Sequence, residues 1–282
     1  MADVRSLSKN GCAPISHSTS IVSSFDWIAP DYDRMFTNSH TGIAQRESVW
    51  RFTDRLFKPG QRILELNCGT GVDALHFTRH GLMVSACDQS VKMIEIARHR
   101  LRQSRCEQAV QCFQLSIEKL SEWRAPYLYD AVFSNFGGLN CVTDLRKFCG
   151  NLVPILKPGG TVVLCLMNRY CLWEWGYFLG QFRFRKAFRR LRKGGAEITF
   201  GNHTTMQVHY PGVRQWIEWM SPHFRYSSHR SIGLAVPPPY AEEWTGQHLT
   251  FLHVAKCLDG VVCSWPGFRS LGDHYLMHFV RR

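Results

Sequence analysis

Residues 62–90 read RILELNCGTGVDALHFTRHGLMVSACDQS, and this stretch decides the fold. It consists of an apolar run, a glycine-rich turn, a helix-like segment and a second apolar run that ends at Asp88. Short apolar runs bounded by turn residues are typical of buried strands. The order strand, turn, helix, strand therefore predicts the first half of a doubly wound α/β sheet.

The turn between the first strand and the helix, residues 67–71, reads NCGTG. Glycine adopts positive φ without strain and lets a ligand approach bare backbone, and asparagine tolerates that conformation better than most residues. From Gly71 to Asp88 is 17 positions, close to the spacing of roughly 20 at which a carboxylate meets ribose hydroxyls. Together with Ala74, the glycines also satisfy the loose dinucleotide fingerprint, so this turn alone leaves an NAD-dependent oxidoreductase as an alternative.

The rest of the chain separates these alternatives, because it resembles class I S-adenosylmethionine (SAM) methyltransferases. The motifs that carry the resemblance are Glu65-x-Asn67-x-Gly69-x-Gly71, Asp88, SIEKL at 116–120, YDAVFSN at 129–135 and LKPGG at 156–160. Upstream, FDWIAPDYD at 25–33 is similar to the leading segment of the ubiquinone and menaquinone methyltransferases. The resemblance covers residues 25–168. It implies a Rossmann-like fold, with a seven-stranded, mostly parallel sheet and helices on both faces.

Residues 169–212 depart from that pattern, because they are rich in aromatic residues and end in two short strand-like runs. An insertion after the fifth strand would form a lid over the substrate pocket. The competing interpretation is an insertion that packs on its own body, which is common for aromatic residues at helical spacing. We predict one domain over residues 25–282, with 169–212 as its lid and a mobile polar arm at residues 1–24.

Composition restricts the class of protein. A chain of 282 residues with 45% hydrophobic and 20% charged residues is typical of a soluble globular protein. No apolar run approaches the roughly 20 residues of a membrane span, and residues 1–20 lack the apolar centre of a secretory signal. The 11 cysteines are odd in number and irregularly spaced, which favours reduced thiols and a cytoplasmic location.

The formal net charge of +12 is concentrated in residues 181–193, QFRFRKAFRRLRK, which hold seven basic residues and no acidic residue. Such a segment can bind RNA, an anionic membrane surface or an anionic substrate, and it can equally be a solvated helix face. An RNA methyltransferase is therefore an alternative. Against it, residues 134–137 read SNFG, not the Asn/Asp-Pro-Pro-aromatic motif of base methylation. We expect no nucleic acid partner, and nothing else in the sequence supports a membrane contact.

The resemblance implies SAM as the cofactor, with S-adenosylhomocysteine as its product. Glu65 would meet the methionine ammonium through water, residues 67–71 would surround it, and Asp88 would bind the ribose hydroxyls. Further cofactor contacts are expected from Tyr32, Gln89, Met93, Ser116, Ile117, Asn135 and Phe136. Ser116 stands where many members carry an acidic residue for the adenine amino group, and a hydroxyl accepts that hydrogen bond less strongly. This departure keeps open a non-catalytic protein that binds SAM.

The acceptor is expected to be a small organic molecule of specialised metabolism or of a quinone- or lipid-like pathway, methylated on N, O or C. Methyl transfer needs mainly aligned reactants and excluded water, so no dedicated base is required. If a base exists, the candidates are Tyr170, His209 and Tyr210, with His203 and His248 as further options. Substrate contacts are expected from Tyr32, Asn140, Tyr170, Trp173 and Tyr210, although Asn140 is alternatively a helix cap. We expect no metal site, and a monomer or homodimer.

Overall fold

The computed structural model describes residues 17–200 and 204–282. The strands in these residues are β1 Arg62–Leu66, β2 Met83–Asp88, β3 Val110–Gln114, β4 Tyr129–Ser134, β5 Leu156–Met167, β6 Ala196–Phe200, β7 Thr204–Val208, β8 Phe224–Ile232 and β9 His274–Arg281. The α-helices in these residues are α1 His17–Tyr32, α2 His40–Leu56, α3 Val72–Arg79, α4 Val91–Gln103, α5 Leu145–Asn151, α6 Leu172–Leu179, α7 Phe184–Ala187, α8 Val213–Met220, α9 Glu242–Gln247 and α10 Leu249–Val262.

Seven strands form one sheet in the order β3-β2-β1-β4-β5-β9-β8. All neighbouring strands from β3 to β5 pair in parallel, whereas β9 runs antiparallel to both β5 and β8. β6 and β7 form a separate antiparallel pair. The predicted seven-stranded, mostly parallel Rossmann-like sheet is therefore confirmed.

The central strands are apolar along their whole length because helices cover both faces of the sheet. Successive residues of β1 point to opposite faces, so Ile63 and Leu64 belong to two different cores. Ile63 packs with Phe77 of α3 on one face. Leu64 packs with Phe148 of α5 and Trp216 of α8 on the other. These two cores hold the carboxyl ends of the parallel strands at fixed positions.

Helix α1 begins at His17, upstream of the domain start predicted at residue 25. Residues 17–24 therefore belong to a helix, and the arm over residues 1–24 stays a prediction. Serine and threonine are only mildly unfavourable in helices, so a polar composition does not by itself end a helix. Residues 1–16 of the predicted arm lie outside the described residues.

The insertion, residues 169–212, contains α6, α7 and the β6–β7 hairpin. A buried ion network joins it to the sheet. Glu174 of α6 accepts hydrogen bonds from Arg189 and Arg190, both at 2.8 Å, and Arg190 donates to Asp273 beside β9 at 2.7 Å. Burial raises the pKa of Asp273, but His274 and Arg190 outweigh burial and bring its pKa below the usual range. Two arginines of the basic run are thus structural.

Candidate functional site

A cavity of about 180 Å³ lies at the carboxyl ends of β1, β2 and β4. Its polar side is lined by Asn67 and Gly69 after β1, by Asp88 at the end of β2 and by Asn135 after β4. Ligands of doubly wound sheets bind at this edge, outside the carboxyl ends of the strands. The fold thus brings four separately predicted cofactor residues to one place.

The turn after β1 is left-handed at three positions, with φ of 54° at Asn67, 52° at Gly69 and 76° at Gly71. A Cβ atom at Gly71 would lie 2.8 Å from the Cβ of Ala97, so this glycine permits the close packing of α4. A Cβ atom at Gly69 would have only Tyr32 within 4.0 Å. Gly69 therefore leaves bare backbone facing the space that a ligand would occupy.

Asp88 closes the other side of this turn. Its carboxylate accepts hydrogen bonds from the backbone N–H groups of Gly69 at 3.0 Å and Ser90 at 2.9 Å. Burial raises the pKa of Asp88 to about 6, although these two hydrogen bonds favour the charged form. At neutral pH Asp88 is ionised and has acceptor capacity left for hydroxyl donors.

A buried polar cluster lies beside the turn, and sequence reasoning missed its two charged members. Arg46 of α2 pairs with Asp73 of α3, which also accepts hydrogen bonds from Trp50 at 2.7 Å and Asn135 at 3.0 Å. The Arg46 guanidinium lies 4.8 Å from the ring centre of Phe136, and its Nε has no partner among the described residues. This arrangement places a cation next to the turn.

The sequence contained a weak signal for this cluster. Asp73 lies two residues after Gly71, and a carboxylate there is buried by the packing of α3, so it requires a cationic or hydrogen-bonding partner. Arg46 gives no comparable signal, because its tertiary contacts cannot be recognised from periodicity.

Glu65 is buried in β1 beneath the turn and does not line the cavity. Its Oε2 has no hydrogen-bond partner among the described residues. Burial raises the pKa of Glu65 well above its usual range, Asp73 adds to this effect, and Arg46 opposes it. An unpartnered buried carboxyl group favours the approach of a cation, directly or through water.

Tyr32 and Asp33 hold the amino-terminal helix over the turn. Asp33 accepts a hydrogen bond from Thr70 at 2.7 Å and pairs with Arg100 of α4. Tyr32 lines the cavity opposite Gly69. Burial raises the pKa of Tyr32 to about 12, with Arg46 opposing, so its hydroxyl remains a donor at neutral pH. The prediction that Tyr32 borders the site is consistent with this geometry.

The other side of the cavity is apolar. Its lining residues come from α1, α4, a short 3-10 helix after β4, the end of β5 and the β6–β7 hairpin: Phe25, Ile28, Met93, Cys141, Met167, Ile198, Met206 and Val208. Burial raises the pKa of the Cys141 thiol to about 12. The described lining contains no histidine and no lysine. This half suits an apolar ligand and offers no obvious base.

Residues 63–160 match the family model described as a methyltransferase domain. These residues form a methyltransferase domain, and the sheet that contains them has the Rossmann-like fold of class I methyltransferases. The chain is 33% identical over 144 residues to a demethylmenaquinone methyltransferase of Clavibacter sepedonicus, and the alignment covers 50% of this chain and 55% of that protein. The chain therefore spans about half the length of the curated relatives that it matches.

Two solved structures share the fold of the methyltransferase domain over nearly its whole length. DhpI in complex with SAM and HEP has a TM-score of 0.57 and 18% identity, and the match covers 96% of this chain and 100% of DhpI. The [4+2]-cyclase SpnF has a TM-score of 0.58 and 16% identity, with coverage of 93% and 96%. At these identities the likeness establishes the fold alone.

Two predicted adenine contacts do not belong to the lining of the cavity between Gly69 and Asp88. The cavity is lined by Gln89 but not by Ser116 or Ile117. The Ser116 hydroxyl lies 3.5 Å from Oε1 of Gln89, and Ile117 is buried in the core. Any influence of Ser116 on a ligand would therefore act through Gln89.

Asn140 does not line the cavity, and its predicted substrate contact stays a prediction. Its Nδ2 donates to the carbonyl groups of Met167 at 3.3 Å and His209 at 2.6 Å, and its Oδ1 accepts from the N–H of Met167 at 2.9 Å. Asn140 is buried, and these bonds occupy both of its amide hydrogens. Its side chain joins the end of β5 to the segment after β7.

The predicted aromatic and basic residues of the lid also lie outside the cavity lining. Tyr170 is exposed and packs edge-on against Trp175, whereas Trp173 donates to the carbonyl of Ala235 at 3.1 Å. Tyr210 is buried with the Arg190 guanidinium 5.6 Å from its ring centre. The aromatic part of the insertion thus packs on the insertion itself and on residues 235–251, and within the described part of the insertion only the hairpin lines the cavity.

Two of the three histidines proposed as bases, His209 and His248, do not line the cavity. His209 lines a separate surface pocket beside Tyr210, and His248 is exposed and bonded to the carbonyl of Trp244. His203 lies outside the described residues. The positions of these side chains depend on tertiary packing that sequence spacing does not encode.

A group able to hold a metal ion occurs away from the cavity, although the sequence predicted none. Asp54 of α2, His76 of α3 and His80, which directly follows α3, bring ligand atoms within 4.8 Å of one another. His76 bonds to Asp54 at 2.8 Å and stacks on Trp50.

None of the helices within residues 17–200 and 204–282 is long and apolar enough to cross a membrane.

Proposed function

We propose that the chain transfers the methyl group of SAM to a small, largely apolar organic acceptor. The observation that carries this proposal is the division of the cavity. Gly69 and Asp88 form a polar half at the tips of β1 and β2, and α1 and the β6–β7 hairpin form an apolar half. Residues 135–138 lie where the two halves meet. A donor in one half and an acceptor in the other would react across that junction.

The polar half fits the groups of SAM. The ionised Asp88 would accept from two ribose hydroxyls, and the bare backbone at Gly69 would permit close approach. Arg46 would attract the carboxylate of the methionyl group with its guanidinium. Glu65, whose Oε2 has no hydrogen-bond partner among the described residues, would offset the positive charge of the methionyl ammonium group through a bridging water. When bound, SAM supplies an electrophilic methyl group on a positively charged sulfur.

The contribution of the protein to transfer would be alignment and the exclusion of water. The apolar half supplies a dry surface for the acceptor. Tyr32 and Cys141 line the cavity, and burial raises the pKa of each to about 12, so neither takes up a proton at neutral pH. We therefore propose an acceptor whose nucleophilic atom attacks the methyl group without losing a proton to a protein side chain first.

Transfer is tested with SAM that carries an isotopically labelled methyl group and a panel of apolar acceptors, with mass spectrometry of the products. The name of the curated relative makes demethylmenaquinone the first acceptor to test. We expect label in one product with wild type and none with Asp88→Ala. If neither SAM nor S-adenosylhomocysteine raises the melting temperature while NAD does, the proposal is wrong.

A second candidate is a protein that binds SAM without transferring its methyl group. The absence of a histidine or lysine in the described cavity lining favours it, and the similar fold of SpnF belongs to a protein named as a cyclase. Tight SAM binding with no label transferred to any acceptor, and with chemical change of an acceptor in the presence of SAM, would favour this candidate.

A further inference from the structure

We propose that one face of the insertion docks the protein on an anionic membrane surface. This docking surface combines aromatic and basic side chains that are exposed in the folded protein: Phe182, Arg183, Phe184, Arg185, Lys186, Phe188, Arg192 and Lys193. The proposal concerns binding of a lipid bilayer by the protein surface and is independent of methyl transfer.

The aromatic part of the docking surface is unusually exposed. Phe182 is 82% exposed, Phe184 58% and Phe188 42%. Phe182 adopts a φ of 55° in the turn between α6 and α7. Single exposed apolar residues are ordinary, but three phenylalanines within one short segment form a patch that calls for a partner. Phenylalanine side chains insert into the boundary between lipid headgroups and acyl chains.

The charge of the docking surface selects an anionic partner. Two of the seven basic residues of 181–193 are engaged by Glu174, and the other five are exposed. Residues 181–196 include no acidic residue, and among the described residues Glu197 is the one acidic side chain beside four basic ones in the groove that Arg185 and Lys186 line. Each lysine or arginine near an anionic bilayer increases membrane partitioning roughly fivefold. Exposed phenylalanines between these cations would add apolar insertion to electrostatic attraction.

The position of the docking surface favours a membrane over RNA. The insertion leaves the sheet at the carboxyl end of β5, the edge where the cavity lies. Its hairpin lines the apolar half of that cavity through Ile198, Met206 and Val208. Docking through α7 would therefore bring the apolar cavity close to a bilayer, from which an apolar molecule could enter. RNA binding uses cations and aromatic stacking but gains nothing from this proximity.

Vesicle flotation tests the proposal with the full chain. We expect wild type to float with vesicles of equimolar phosphatidylcholine and phosphatidylglycerol, and not with phosphatidylcholine alone. The variant Phe182→Ala with Phe184→Ala should lower partitioning roughly tenfold, because two inserted rings are removed. The variant Arg185→Glu with Lys186→Glu should lower it at least about 25-fold, because two attractive charges are lost.

Matched controls come from the opposite edge of the sheet. Lys58→Glu with Arg79→Glu changes the net charge by the same amount near the amino ends of β1 and β2, and Leu128→Ala removes an exposed apolar side chain there. Both controls should float like wild type. Thermal melting verifies folding, and Phe182→Ala alone serves if the double variant is unstable, because this ring is largely exposed.

Three outcomes would overturn the proposal. If the Lys58→Glu, Arg79→Glu control lost as much vesicle flotation as the Arg185→Glu, Lys186→Glu variant, the attraction would depend on net charge alone. Unchanged flotation after loss of both phenylalanines would show adsorption without insertion. Fluorescence anisotropy that detects single-stranded RNA binding at physiological salt, in a wild type that does not float, would assign the surface to nucleic acid.

Discussion

Two regions meet at the carboxyl edge of the sheet, and they are stabilised in different ways. In the cofactor half, the hydrogen bonds involve residues of motifs that are visible in the sequence: Asp88 accepts from the backbone of Gly69, and Asp33 accepts from Thr70. In the insertion, Arg190 joins Glu174 to Asp273, and no motif marks these residues. Sequence motifs therefore identify the first region, whereas tertiary contacts alone identify the second. A change in one region should leave the properties of the other unchanged.

The largest effect is expected from the ion network of the insertion. Arg190→Met removes the buried cation that Glu174 and Asp273 share, leaving Arg189 on Glu174 and His274 on Asp273, which should lower the free energy of unfolding by roughly 3 kcal/mol. SAM affinity of the folded variant should stay the same, because Arg190 does not line the cavity. Chemical denaturation and calorimetric titration measure the two quantities. Arg192→Met, at an exposed position, is the control, and an equal loss of stability there would contradict the interpretation.

The reverse experiment changes the cofactor half. Asp88→Ala removes the acceptor of two hydroxyl groups and should weaken SAM binding by about 100-fold, since hydrogen bonds to charged groups contribute about 1.5–3 kcal/mol each. Calorimetric titration measures this loss. The control is Asp144→Ala, which removes a helix cap on α5 outside the cavity. SAM binding of wild-type strength in Asp88→Ala would remove Asp88 from the site.

The residues changed in these two experiments explain why the sequence predicts the cofactor half but not the ion network of the insertion. A glycine turn requires left-handed φ, so Asn67, Gly69 and Gly71 reveal their conformation through residue type. Strand periodicity then places Asp88 at the same edge. In contrast, Arg185 and Arg190 have the same chemistry in the same segment, yet the first is exposed and the second is buried. Only the folded position of Glu174 and Asp273 distinguishes them.

The apolar half is tested by placing a charge on the hairpin. Ile198→Asp should raise KM for the acceptor identified in the transfer assay by tenfold or more, because an unpaired carboxylate faces an apolar ligand. SAM affinity should change little, since Ile198 lies in the half opposite Asp88. Steady-state kinetics with each reactant varied separately provides the measurement. An increase confined to the KM for SAM would mean that the two halves are assigned the wrong way round.

The smallest predicted effect concerns pH. The pKa of Asp88 is raised to about 6, so its carboxylate is ionised above this pH and becomes protonated below it. Only the ionised form accepts from both ribose hydroxyls, so SAM affinity should fall about tenfold from pH 7 to pH 5. Titrations across this range with wild type and Asp88→Asn isolate the contribution of Asp88. A fall of the same size in the variant would assign the pH dependence to another group.

A crystal structure with S-adenosylhomocysteine tests the central claim most directly. We predict density for the adenosyl group between Gly69 and Asp88, with both ribose hydroxyls within hydrogen-bonding distance of the Asp88 carboxylate. The thioether sulfur should point toward residues 135–138 and the apolar half of the cavity. Density for the ligand at another place, with the space between Gly69 and Asp88 filled by protein or solvent, would contradict the account.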